Sequence, residues 1–406
     1  MIHYFTRIAS LVLAFGFFIS CSVLNSSHSG IKPSDKLSET EIQQKLNSIN
    51  DELSSDSSNA DLYYKKGVLL TDLAQKKTDP SERTSIYRQA EQSLQQAADI
   101  YQDSSDDEKV HQLLKVTWSN EHNNGVQLMQ SDSSSQAPNY ERAASFFRNA
   151  TAVIPDSSIS YKMEARAYYK NDQPRKAIQV LEEARRNISR PPSLLLEQLA
   201  YLYLENDQPP KAIEVYEEAK AHSDQNVNLI HGLSNAYIKA GNHERAVKML
   251  KLLTKNEPKN VIYHQRLATE LYQWASEKLG NTAQALNNGT QLPNTSYATA
   301  DSLVERATSE FQTVNQQLPK DWEQKREFAF FYQDIAAKYQ KLLPLVESQQ
   351  QQAIHSKIQH HLESSLPLLE EISREHPDDR QLWQSLYNTY SYLGMEEKAN
   401  NAKSNL

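Results

Sequence analysis

The densest group of side chains able to hold a metal in this 406-residue chain is "HSKIQHH", His355–His361. Two imidazoles grip a metal from one helix face when they stand four residues apart and a carboxylate or further ligand completes the set. His355, His360 and His361 lack that spacing, and no carboxylate pattern adjoins them, so a solvated helix face is expected. Carboxylate pairs recur at Glu182–Glu183 and Glu217–Glu218. Acid–base catalysis needs two carboxyls in unlike surroundings. A pair repeated at equivalent places has like surroundings and reads as a solubilising surface. No phosphate-cradling glycine loop, zinc-protease HExxH or nucleophile elbow occurs. Catalytic residues, metals and cofactors are therefore not expected.

The single thiol has a different setting. Cys21 follows "MIHYFTRIASLVLAFGFFIS", in which Arg7 precedes an apolar run from Ile8 to Ile19. That run is shorter than the roughly 20 residues of a membrane span and suits a signal-peptide core. "FISC" (Phe18–Cys21) resembles the bacterial lipobox, with Phe18 in place of the usual Leu. The resemblance implies that residues 1–20 are removed as a lipoprotein signal peptide and that Cys21 is lipidated. Ser22 next to it, not Asp, implies sorting to the outer membrane. No acidic run follows, which favours the periplasmic face. A thiol consumed by a thioether cannot oxidise, and no second cysteine exists to pair with it. Residues 21–37, polar and Ser-rich, read as a flexible tether from the lipidated end.

The elements that position everything else begin at "SETE" (Ser38–Glu41), a capping-box spacing followed by Ile42, Leu46, Ile49 and Leu53 at helical intervals. Residues 38–59 are read as an amphipathic helix and linker, the helix packing on the first repeat. From 60 to 406 one pattern dominates. "NDQPRKAIQVLEEA" (Asn171–Ala184) and "NDQPPKAIEVYEEA" (Asn206–Ala219) agree at eleven of fourteen positions, thirty-five residues apart. Ala177, Ala212 and Ala246 share one position. Tyr168, Tyr203 and Tyr237 stand nine residues before them, and Leu181, Tyr216 and Leu250 four after. Where two helices cross closely the contact residue must be small, and a bulky one costs about 1–3 kcal/mol. Ala143, Ala307 and Ala399 fall in the same frame, and Pro155, Pro258, Pro319 and Pro377 close units.

This period of about 34 residues resembles the tetratricopeptide repeat. The resemblance implies an all-α, right-handed superhelical solenoid of about eight helix-turn-helix units over 60–406, best matched at 158–258. Insertions fall near 130–139, 275–302 and 340–360. Asn287–Ser302 and the first insertion read as exposed loops, and the last as extended helix. In this family the first helices line a concave face that binds peptides. Carried over, that face holds Lys162, Arg166 and Tyr169, then Glu197, Tyr201 and Glu205, then His231, Asn235 and Ile238, then Gln265, Thr269 and Tyr272. Lys162 and Arg166 either grip a partner's carboxylate together with Asn235 or pair with Glu197. The net charge of −8, without basic runs, argues against nucleic acid, which needs a clustered cationic face. The expectation is a membrane-anchored periplasmic scaffold for a protein or extended peptide, not an enzyme. The alternatives are a regulatory or catalytic factor on envelope polymers, with Trp274–Ser302 as its place, or a self-associating structural protein.

Overall fold

The computed structural model describes residues 37–102, 105–130, 138–222, 226–290 and 297–406. The expected signal peptide, Cys21, the expected tether up to 36 and most of the 130–139 insertion lie outside the described residues. Among the described residues there are seventeen α-helices and no strand, and no helix is long and apolar enough to cross a membrane. The chain forms two compact units. Of the described residues, one comprises those up to Glu121 with Ala152–Ile154, the other those of His122–Thr151 with Pro155–Leu406.

The first unit holds α1 (Glu39–Ser55), α2 (Ala60–Lys76), α3 (Thr84–Tyr101) and the start of α4 (Ser105–Met129). At the start of α1 the Ser38 hydroxyl accepts from the Glu41 N–H at 3.2 Å, and the Glu41 carboxylate accepts from the Ser38 N–H at 2.7 Å. Two orphan donors of the helix end are satisfied reciprocally. Ile42, Leu46, Ile49 and Leu53 are buried with Leu62, Leu69 and Leu70 of α2 in one cluster.

The second unit continues α4, adds α5 (Tyr140–Val153) and then proceeds in pairs. These are α6 (Ser158–Lys170) with α7 (Pro174–Asn187), α8 (Ser193–Glu205) with α9 (Pro209–His222), and α10 (Val227–Lys239) with α11 (His243–Asn256). They continue as α12 (Val261–Asn287) with α13 (Ala298–Gln317), α14 (Trp322–Leu342) with α15 (Ser348–Glu375), and α16 (Arg380–Tyr392) with α17 (Glu396–Ser404). Within four of the pairs the chain turns through a left-handed residue: Asp172 (φ 57°), Asp207 (φ 54°), Gly241 (φ 68°) and Gly394 (φ 72°). The following N–H returns to a tyrosine carbonyl: Gln173 to Tyr168, Gln208 to Tyr203, Asn242 to Tyr237 and Met395 to Tyr390, at 2.8–2.9 Å. This is the Schellman closure, which glycine adopts without a Cβ penalty. Asp172→Gly and Asp207→Gly are each expected to raise stability by about 0.5 kcal/mol, read as a higher urea midpoint at unchanged slope. A lower midpoint would mean that the aspartate side chains hold these turns.

Between pairs, proline does the punctuation. Pro155, Pro258, Pro319 and Pro377 each stand two residues past a helix end. Two residues further on, Ser157, Asn260, Asp321 and Asp379 accept from the first N–H groups of the next helix. One short stretch thus stops a helix and caps its successor.

Ala143, Ala177, Ala212, Ala246 and Ala307 are wholly buried, and Ala399 is nearly so. Ala177, Ala212, Ala246 and Ala307 belong to one core that runs from Tyr161 in α6 to Leu362 in α15. No pair closes its own apolar faces; the neighbours supply the cover.

Three details differ from the sequence reading. The repeated carboxylates are not loose surface charge. Tyr203 donates to Glu182 at 2.8 Å, Tyr390 to Glu370 at 2.7 Å, and Tyr237 to Glu217, each from a first helix to the preceding second helix. A cation eight residues after each tyrosine lies over its ring: Lys211 at 5.3 Å, Arg245 at 5.6 Å and Lys398 at 5.3 Å. Second, the stretch after Asn287 is not all loop, because Tyr297 is buried and α13 begins at Ala298. Third, His361 does not face solvent. It is buried against the Tyr339 ring, stacked at 5.9 Å, and burial pushes its imidazole down to about 4.

Candidate binding groove

Four first helices of the second unit, α6, α8, α10 and α12, carry the residues expected to line a groove. Each helix buries one stripe in the common core and turns another outward, so the outward positions repeat with the pairs. Tyr169 and Tyr201 are 41% and 46% exposed, the only exposed tyrosines besides Tyr392 among the large apolar side chains described. Burial, Glu205 and Tyr169 together push the Tyr201 phenol up to about 12. Each of the two consecutive first helices α6 and α8 thus presents one exposed tyrosine ring.

Among the described residues, two charges on these helices have no counter-charge. Lys162 is half-buried, and among the described residues it has no carboxylate within ion-pair distance; burial alone lowers its ammonium from the usual lysine range. Glu197 is 7% exposed, and burial alone raises its carboxyl. The two do not pair. Arg166, one turn after Lys162 in α6, is half-buried.

Two repeats on, the structure brings together His231, Asn235 and a residue the sequence reading passed over, Arg266. The Arg266 guanidinium donates to Asn235 Oδ1 at 2.6 Å. Burial lowers Arg266 from its ordinary value, with no carboxylate to offset it. Burial, with Arg266 adding to it, also lowers the His231 imidazole, whose ring sits 5.8 Å from that of Tyr263.

Gln265 and Tyr272 face α14. Gln265 donates to Glu327 at 3.3 Å and Tyr272 to Asp334 at 2.8 Å, and the Tyr272 ring meets Phe331 edge-on at 5.5 Å. Thr269 donates back to the Gln265 carbonyl. Copying the repeat position onto α12 selects Gln265, the neighbour of Arg266. The available signal was the isolated cation in the mainly apolar first turns of α12.

Two other places hold less. A pocket between α9, α10 and α11 is lined by Glu217, Lys220, Leu233, Tyr237, Arg245 and Met249, but Arg245 there is already engaged by Glu217 and Tyr237. In the Trp274–Ser302 region, Asp301 accepts from both Tyr339 and Lys357. Among the described residues no group of three or more His, Cys, Asp or Glu side chains could hold a metal ion.

The tetratricopeptide repeat family matches residues 203–271, from Tyr203 in α8 through α9, α10 and α11 into α12. Among solved structures, the MamA protein is similar at 12% identity and TM-score 0.37, covering 52% of this chain and 94% of that one. YrrB, described as a TPR protein with an unusual peptide-binding site, is similar at 11% identity and TM-score 0.34, covering 68% and 95%. A monomeric IFIT1 mutant with m7Gppp-AAAA is similar at 14% identity and TM-score 0.31, covering 91% and 95%. No curated protein was found to match the chain.

Proposed function

We propose that this chain is a protein-binding scaffold whose ligand, an extended segment of a partner protein, lies along α6, α8, α10 and α12. The observation that carries the reading is a contrast in charge pairing. Along Arg148, Arg185 and Arg245 the guanidinium groups meet carboxylates. On the first-helix face Lys162, Glu197 and Arg266 are desolvated without opposite charges. Half-burying a charge without a counter-charge is costly, and a bound segment that supplies the missing partners recovers that cost. A carboxylate of the segment at Arg266, still anchored by Asn235, would make a charge-assisted bond. Tyr169 and Tyr201 would offer rigid contact area of the kind interfaces favour. Lipidation of Cys21 and residence at the periplasmic face of the outer membrane belong to the same proposal and rest on the sequence of residues 1–37.

Site-specific photocross-linking in cells tests it. Cross-linkers at Tyr169 and Tyr201 are expected to capture one protein, and a cross-linker at Lys248 on α11 is not. Charge reversal at Arg266 is expected to weaken capture at least about tenfold. Capture from α11 alone would overturn the reading. The anchor has its own check: labelled fatty acid should enter the wild-type chain and not Cys21→Ser.

A further inference from the structure

The cavity between α9, α10 and α11 measures about 520 Å³, inside the range of small-molecule sites, about 300–1,000 Å³. Its floor is apolar: Leu233, Tyr237 and Met249 line it and are buried. Its charged lining is mostly cationic, with Lys220 of α9 and Arg245 and Lys248 of α11 against one carboxylate, Glu217. Arg245 donates to Glu217 at 3.3 Å, so those two charges offset each other. Lys220 is half-buried and Lys248 exposed. Among the described residues neither lysine has a carboxylate within ion-pair distance.

The preceding cleft of the same unit holds a different arrangement at the same repeat positions. Arg185 stands eight residues after Ala177, as Lys220 stands eight after Ala212. Glu214 stands two residues after Ala212, as Lys248 stands two after Ala246. Between α7 and α9 these positions form an ion bridge, with Arg185 2.9 Å from Glu214 and 2.5 Å from Glu218. Between α9 and α11 the same positions hold two ammonium groups. The place of Glu218 is taken by Leu252, which packs on the core. One repeat on, a bridge of opposite charges is thus replaced by two like charges lining a cavity. Like charges repel, and an anion set between them turns the interaction favourable.

We propose that this cavity binds a phosphate monoester, its phosphate between Lys220 and Lys248 and its apolar body over Leu233 and Met249. The charge fits, since a phosphate monoester carries about −1.5 to −2 near neutral pH and two lysines stand without counter-charges. Its terminal oxygens can accept charge-assisted hydrogen bonds from both ammonium groups. A lone carboxylate would neutralise only one of them. The apolar floor selects an ester over bare phosphate. The site is built chiefly on second helices and does not rest on the groove reading.

Isothermal titration of the whole chain with phenyl phosphate, at fixed ionic strength, tests the site. One equivalent is expected to bind, and inorganic phosphate to bind at least about threefold more weakly for want of a group to cover the floor. Lys248→Glu restores the cation–carboxylate arrangement of the α7–α9 cleft. It is expected to melt at or above the wild-type temperature and to bind phenyl phosphate at least about tenfold more weakly. Lys220→Gln should lose affinity to a similar degree, whereas charge reversal at Arg266 should leave it unchanged. Flotation with phosphatidylcholine vesicles, with and without phosphatidic acid, separates the sources of the ester. Flotation that requires both phosphatidic acid and Lys220 assigns a lipid headgroup, and its absence assigns a soluble ester. No binding of phenyl phosphate, or an affinity unchanged in both Lys248→Glu and Lys220→Gln, would overturn the proposal.

Discussion

Replacing Arg148 by Ala is expected to lower stability by about 3–5 kcal/mol, the usual result of removing one member of a buried ion pair. Arg148 belongs to α5, and its guanidinium ties two later helices to it. Nε stands 2.6 Å from Glu164 Oε1 on α6, and Nη1 2.8 Å from Glu183 Oε2 on α7. Glu164 is wholly buried. Deleting the guanidinium takes this ion pair from a carboxylate that water does not reach, and it also removes the packing of a long stem. Neutralising both ends together should cost much less. The Arg148→Met/Glu164→Leu pair replaces the bridge by apolar contact and is expected to recover more than half of the single-mutant loss. Urea titration measures the total. Hydrogen exchange should place the weakened region at α5–α7, because a repeat depends chiefly on its neighbours. Equal losses in the single and double variants would show that volume, not charge, decides this site.

The architecture was legible because it is written as spacing. One period of 34 or 35 residues fixes where Ala177, Ala212 and Ala246 cross, and the prolines mark helix ends from any single unit. Even the left-handed turns are spelled out, as Asn-Asp twice and as Gly241 and Gly394. Pairing was not legible in the same way. That Tyr203 reaches Glu182, and Tyr237 reaches Glu217, depends on how one pair lies on the previous one. A periodic carboxylate looks alike whether it faces water or a hydroxyl. The groove shows the same limit. Transferring a position by its offset presumes that successive pairs share one geometry. On α12, a helix of 27 residues, neighbouring positions part ways, Gln265 turning to Glu327 and Arg266 to Asn235. His243 and His264 were individually visible, but their partners Glu270 and Glu310 lie 27 and 46 residues further along the chain, beyond any local pattern.

Gly232 offers the sharpest test of how tightly successive pairs fit. It lies inside α10, where glycine normally weakens a helix by about 1 kcal/mol against Ala. A Cβ built there would stand 2.4 Å from Cζ of Tyr216 and 2.5 Å from its Cε1 and Oη. Tyr216 is 3% exposed and held within the core cluster. Gly232→Ala is therefore expected to destabilise despite its better propensity, by up to about 2 kcal/mol after the two effects are set against each other. Gly232→Leu should lose about 3 kcal/mol or more. Truncating the ring alone, Tyr216→Ala, leaves a cavity and should cost about 3–5 kcal/mol. Combined, the leucine enters the space the ring vacated, and the double variant is expected to be more stable than the sum of the two losses by at least about 1 kcal/mol. Strict additivity would mean that α9 and α10 shift apart and relieve the clash. The consequence reaches the groove as well. His231 and Asn235 flank Gly232 on the same helix, so a displaced α10 would carry Asn235 away from the Arg266 guanidinium it anchors at 2.6 Å. Loss of cross-linking at Tyr201 in a Gly232→Ala chain that remains folded would show that stacking and binding geometry are set by the same contact.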